Sequence, residues 1–96
     1  MNLVITGRHF DLTENLKEEI HKKTERFKRY FSHIIDVHVV ISREKGRYQV
    51  EIILSAKKLI CTSKEEGNDL YLCLNKAIEK IETQLSHLKD KIKDKP

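Results

Sequence analysis

A chain of 96 residues holds one domain with a single modest core, not two. Charged residues make up 35% and hydrophobic ones 39%, and their clear periodicity argues against a disordered chain. The net charge of +4, from 19 Lys and Arg against 15 Asp and Glu, is mild and bears on a partner only if it is concentrated in space. No apolar run of signal-peptide length follows Met1, and no stretch approaches membrane-spanning length, so a cytoplasmic protein without membrane contact is expected. Cys61 and Cys73 sit in neither a CxxC nor a Cys/His ligand spacing, and the reading for both is a reduced thiol in or near the core.

Asn2 to Thr6 carries Leu3 and Ile5 on one side and reads as a first strand, punctuated by Gly7. Asp11 or Thr13 can cap the helix that follows, because either side chain accepts from otherwise unpaired amides. Leu16, Ile20, Thr24, Phe27 and Phe31 mark its buried stripe, so the helix is expected to run to about Phe31. Val37, Val39 and Ile41 against His38, Val40 and Ser42 announce a second strand. Glu44-Lys45-Gly46-Arg47 reads as a hairpin turn with Gly46 free to take a positive φ. A third strand alternates through Val50, Ile52 and Leu54, and a polar turn at Ala56-Lys57-Lys58 leads to a fourth, Leu59 to Ser63. Residues Lys64 to Asn68 are expected to form a loop, with Asn68 or Asp69 capping the last helix. The tail beyond about residue 92 is expected to fray. The order is β-α-β-β-β-α, an α+β fold of two layers. Both helices are expected on one face of a mostly antiparallel four-stranded sheet.

The last helix is the most informative segment. Leu70, Leu74, Ile78, Ile81, Leu85, Leu88 and Ile92 recur at three- and four-residue steps and form one stripe at about 100° per residue. Lys76, Lys80, His87 and Lys91, with Thr83 and Gln84 among them, occupy a neighbouring sector; Glu79, Glu82, Ser86 and Asp90 lie on the other side. The first helix is sorted in the same way. Lys22, Lys23, Arg26 and Arg29 cluster on one flank beside Tyr30, and Lys17, His21 and Lys28 make a weaker strip opposite. A solvated helix ordinarily mixes its charges, whereas sorted ones suit a polyanion.

Chemistry of other kinds is missing. No nucleophile with its base, no acid–base pair and no phosphate cradle is visible, so no catalytic residues are assigned. His9, His21, His33, His38 and His87 are scattered without metal-ligand spacing, and neither a metal nor a cofactor is expected. His38 reads as a structural residue on the polar side of its strand. Gly7, Gly46 and Gly67 are isolated turn residues. Basic helix flanks can neutralise phosphates and give salt-dependent, sequence-independent binding. With three Phe, three Tyr and no Trp, the aromatic content is small for a single-strand stacking platform. Structured RNA, read through shape and backbone, fits better.

Several local patterns point further. Ile5-Thr6-Gly7-Arg8-His9 followed by Leu12-Thr13-Glu14-Asn15-Leu16, then Lys23, Arg26 and Tyr30-Phe31, recur in one order with Glu66-Gly67-Asn68-Asp69-Leu70-Tyr71 and Lys80-Ile81-Glu82-Thr83-Gln84-Leu85 before Lys89-Asp90-Lys91. In motif, order and spacing the chain resembles the bacterial ribosome hibernation factors, a family comprising hibernation promoting factor and protein Y. The resemblance covers nearly the whole length, residues 1–96 as one domain. It implies a fold similar to double-stranded-RNA-binding domains with an added first strand. It also implies binding to the small ribosomal subunit and its rRNA, in the channel for messenger and transfer RNA. There the factor would inhibit translation and keep whole ribosomes inactive in stationary phase or stress.

By the same resemblance, Lys23, Arg26, Lys80, Gln84 and Lys91 match the family's polar and basic helix surface. Lys22, Arg29, Lys76 and His87 join them from periodicity alone. Thr83 stands where the family usually has arginine, His87 where lysine is common, and Cys73-Leu74-Asn75 follows the tyrosine in place of the family's usual Ala-Ile-Asp. The chain stops soon after the last helix and so resembles the short members, which act in ribosome pairing with ribosome modulation factor. A monomer is expected when free. Two other readings compete: a general structured-RNA-binding protein acting off the ribosome, and a protein-interaction module pairing last helices through Leu74, Ile78, Ile81, Leu85, Leu88 and Ile92. The distal residues Leu88 and Ile92 extend past what one small sheet can cover, which would leave them exposed.

Overall fold

A computed structural model describes the backbone of residues 1–93 and the side chains of residues 1–88. The last helix keeps its backbone through residue 93, past the expected start of the tail at about 92; the rest of the tail and the side chains of Lys91 and Ile92 lie outside the described residues. The order is β1 (Asn2–Arg8), α1 (Glu14–Glu25), a 3₁₀ turn (Arg26–Arg29), β2 (Ile34–Glu44), β3 (Arg47–Ala56), β4 (Leu59–Gly67) and α2 (Leu70–Lys93). The strands form one sheet in the order β1-β2-β3-β4. β1 runs parallel to β2, a pairing that needs a crossover, which α1 supplies; the other two pairs are antiparallel.

Local chemistry sets most boundaries. Thr13, not Asp11, caps α1: its Oγ1 accepts from the Leu16 amide at 3.1 Å and its carbonyl from the Lys17 amide at 3.0 Å. Lys45 and Gly46 take φ values of 52° and 77°, the left-handed pair of a two-residue hairpin turn between β2 and β3. Gly7 is required for a different reason, since a Cβ there would lie 2.4 Å from the Phe10 carbonyl oxygen, where the chain leaves β1. Asp69 caps α2, accepting from the Leu72 amide at 3.2 Å through its side chain and from the Cys73 amide at 3.0 Å through its carbonyl.

Two boundaries differ from the sequence-based expectation. α1 does not continue to Phe31; it ends at Glu25 and tightens into the 3₁₀ turn, closed by the Tyr30 and Phe31 amides on the Phe27 carbonyl. Thr24 prepares this change by donating its buried hydroxyl to the Ile20 carbonyl at 2.8 Å, a back-bond that disturbs a helix. Phe27 is still fully buried, while Phe31 lies beyond the turn and is half-buried. β4 does not stop at Ser63 but pairs on through Lys64, Glu65 and Glu66 to Gly67 opposite Tyr48. An edge strand with a solvated face accommodates such charges, which also protect the edge from further pairing.

The core lies between the sheet and both helices, as expected. Val37, Val39, Ile41, Val50, Ile52 and Leu54 face Leu16, Ile20 and Phe27 of the first helical segment and Leu74, Ile78, Ile81 and Leu85 of α2. α2 covers β3 and β4, and the 3₁₀ turn approaches it from the side. Burying one such aliphatic side chain stabilises the fold by about 1.5–3 kcal/mol before ordering costs. Leu74, Ile78, Ile81 and Leu85, four of the residues offered for helix pairing, are therefore used within the chain's own core. Leu88, expected to be exposed, is half-buried and packs against this core. Cys61 and Cys73 are buried and free. Burial pushes both thiols up, and Glu65 and Asp69 raise Cys73 further. On the opposite face of the sheet Thr6 Oγ1 and His38 Nε2 lie 2.8 Å apart, so His38 links neighbouring strands.

Candidate nucleic-acid interface

α2 is fixed to the edge of the sheet by polar ties as well as by its apolar stripe. The buried Ser63 hydroxyl donates to the Ala77 carbonyl at 2.9 Å, and Gln84 Nε2 donates to the Thr62 carbonyl at 2.8 Å. These bonds turn the basic sector of the helix toward β4 and solvent. Lys76 and His87 are exposed and carry no ion pair among the described residues. Lys80, also exposed, is ion-paired with Glu65 of β4. Gln84 is therefore partly engaged in holding the fold, and Lys80 already has an anionic partner.

The opposite, acidic side of α2 faces the 3₁₀ turn. Arg26 Nη2 donates to Glu82 Oε1 at 3.2 Å, joining residues far apart in sequence, and the Nε of Arg26 is buried without a hydrogen-bond partner among the described residues. Lys23 pairs with Glu19 one turn earlier at 3.8 Å. Lys22 and Arg29 are exposed at the outside of the first helical segment. The basic flanks of the two helices are thus separate: the first meets the acidic side of α2 at Arg26, and the second lies beyond it. The weaker strip is neutralised locally, since Lys17 pairs with Glu14, and both His21 and Lys28 lie against Glu25. The hydrogen bond from Lys28, 2.9 Å away, is the main cause that holds the Glu25 carboxyl below its ordinary range.

Between the 3₁₀ turn and α2 lies a cleft of about 430 Å³, lined by Tyr30, Glu79, Glu82, Thr83, Ser86 and His87. Sequence periodicity places these residues on helix faces but does not bring Tyr30 and Glu79 to one hollow. The Lys80–Glu65 pair is equally invisible to it, because both are long-range contacts. Among the described residues no group of three or more His, Cys, Asp or Glu side chains is placed to hold a metal ion. No helix among them is long and apolar enough to cross a membrane. The arrangement offers cations, hydroxyls and an aromatic ring at a surface, a set suited to binding.

Known proteins match this chain throughout its length. The family model described as sigma 54 modulation protein / S30EA ribosomal protein matches residues 3–93. The chain is 33% identical over 93 residues to the ribosome hibernation promoting factor of Escherichia coli, covering 97% of this chain and 98% of that protein. It is 28% identical over 98 residues to the ribosome hibernation promotion factor of Bacillus subtilis, covering 99% of this chain and 52% of the longer relative. The structure is similar to the crystal structure of the Thermus thermophilus protein Y N-terminal domain, with a TM-score of 0.85 at 27% identity over 92% of this chain and 99% of that one. It is also similar to a ribosomal subunit interface protein from Coxiella burnetii, with a TM-score of 0.86 at 26% identity over 94% and 99%.

Proposed function

The chain belongs to the family of sigma 54 modulation protein / S30EA ribosomal proteins, and from that premise we propose that it is a non-catalytic ribosome hibernation factor. Residues 1–96 act as one ribosome-binding domain in the cytoplasm. The domain occupies the messenger and transfer RNA channel of the small subunit, inhibits translation and preserves inactive ribosomes under stress. The observation that carries this reading is the match to the Escherichia coli hibernation promoting factor along almost the full length of both chains. The physical support is the exposed basic sector of α2, where Lys76, Lys80 and His87 stand in a row on a helix anchored to a rigid sheet. Lys22 and Arg29 supply a second cluster of charge on the first helical segment. Such groups position an RNA backbone without reading its sequence.

Translation of a defined messenger by purified ribosomes tests the proposal. Added protein lowers peptide output, and excess messenger with transfer RNA relieves the inhibition by competition. A variant with Lys22, Lys76 and Lys80 changed to glutamate leaves output unchanged. Inhibition insensitive to messenger and transfer RNA would place the action outside the channel. Ribosome pairing, with ribosome modulation factor as the further partner, would be read as a dimer peak when both proteins are added. Relief by bulk duplex RNA alone would favour a general RNA-binding protein acting off the ribosome.

A further inference from the structure

The cleft between the 3₁₀ turn and α2 has a chemistry opposite to that of the basic sector beside it. Glu82 has Arg26 as its counter-ion, but Glu79 has no cationic partner among the described residues. A phosphate placed in the cleft would face that uncompensated carboxylate. The carboxylate would repel that anion, whereas an uncharged planar group rich in donors would be held by it. Tyr30 gives an aromatic wall, half-buried and packed against the core, so its position is fixed before any ligand arrives. The Thr83 hydroxyl donates to the Glu79 carbonyl at 2.9 Å, which leaves its oxygen to act only as an acceptor, while Ser86 and His87 line the same hollow. The hollow, about 430 Å³, is open to solvent, with Glu79, Thr83 and His87 exposed, so an extruded group can reach it from the surface. Thr83 is short, and a longer side chain at that position would fill the space.

We propose that this cleft is a nucleobase pocket that takes one unstacked base, guanine in particular, from the RNA whose phosphates lie on the neighbouring basic sector. Guanine offers two donors side by side on its Watson–Crick edge, and the two oxygens of the Glu79 carboxylate accept both. Unstacked bases are held by stacking on aromatic rings and by hydrogen bonds to that edge. The sorting of charge around α2 then has one purpose: cations hold the backbone on one sector, and the carboxylate reads a base on the next. The source of the RNA rests on the ribosome reading above, whereas the pocket can be tested without it.

The test is titration of a short labelled RNA carrying one central guanosine among uridines, against the same RNA with an abasic site at the centre. The full chain, Glu79→Gln and Thr83→Arg are compared, with ribosome cosedimentation of each in parallel. The wild-type chain is expected to bind the guanosine RNA about tenfold more tightly, as stacking of one base allows. Thr83→Arg should remove the preference by filling the hollow, and Glu79→Gln should weaken it by the hydrogen bonds lost. Thr83→Arg should at the same time hold the abasic RNA at least as well as wild type, because it adds a cation. Equal binding of the two RNAs by wild type, or a preference retained in both variants, would overturn the pocket. Cosedimentation without base preference would reject the pocket and keep the ribosome reading. Base preference without cosedimentation would keep the pocket and reject the ribosome as its source of RNA.

Discussion

Replacing Glu65 with glutamine is expected to strengthen binding to ribosomes and to RNA, although it removes a surface ion pair. Lys80 is more than half exposed, while its partner Glu65 on β4 is largely covered, with side-chain exposures of 56% and 17%. A phosphate that binds Lys80 must share the ammonium with this carboxylate. At about 6 Å separation in a water-like dielectric the repulsion between phosphate and carboxylate is about 0.7 kcal/mol, and salt at physiological strength cuts it to about half. Removing the carboxylate charge should therefore raise affinity about twofold at physiological salt. The same change should cost less than about 1 kcal/mol of stability, because the pair is exposed on the lysine side. Fluorescence titration of labelled RNA at fixed salt, with thermal unfolding as control, measures both. Unchanged or weaker binding by Glu65→Gln would show that no phosphate reaches Lys80, and would remove this residue from the interface.

Lys76→Gln should lower the slope of log affinity against log salt by about 0.7–0.9 and weaken binding roughly fivefold near physiological salt, as loss of one phosphate contact does; an unchanged slope would exclude Lys76 from the contact. Ser63→Ala should destabilise the fold by about 1–2 kcal/mol, because the Ala77 carbonyl loses a buried donor. Urea unfolding should show a lower midpoint at an unchanged slope, and an unshifted midpoint would mean that another donor replaces the hydroxyl. Cys61 and Cys73, buried and with raised thiol pKa, should react with a thiol reagent only as fast as the protein opens. Rapid labelling of the native chain would contradict their burial.

Periodicity made most of the fold legible. Leu74, Ile78, Ile81 and Leu85 announce a helix that covers a sheet, and Val50, Ile52 and Leu54 announce a strand with one buried face; all seven are fully buried. Boundaries were legible only where a local rule decided them alone. Thr13 and Asp11 were equal candidates as caps until geometry chose the residue just before the helix. The charged run Lys64-Glu65-Glu66 resembles a loop because strand partners are distant in sequence, yet pairing with β3 draws it into the sheet. The end of α1 was hidden for a related reason. Phe27 satisfies the helical stripe in either an α-helix or a 3₁₀ turn, and only the back-bond of Thr24 and the turn toward β2 separate them. At the site, the sorting of charge on each helix could be read from spacing. Which sector faces which could not, because Arg26–Glu82, Lys80–Glu65 and the cleft beside Tyr30 are made by tertiary packing.

Sedimentation of the purified protein with ribosomes through a sucrose gradient, at low and moderate salt, tests the central claim most directly. The protein is expected to travel with small subunits and whole ribosomes at both salts, and the variant with Lys22, Lys76 and Lys80 changed to glutamate to stay at the top of the gradient. Wild-type protein remaining at the top at both salts, with its fold intact by circular dichroism, would contradict the assignment to ribosomes.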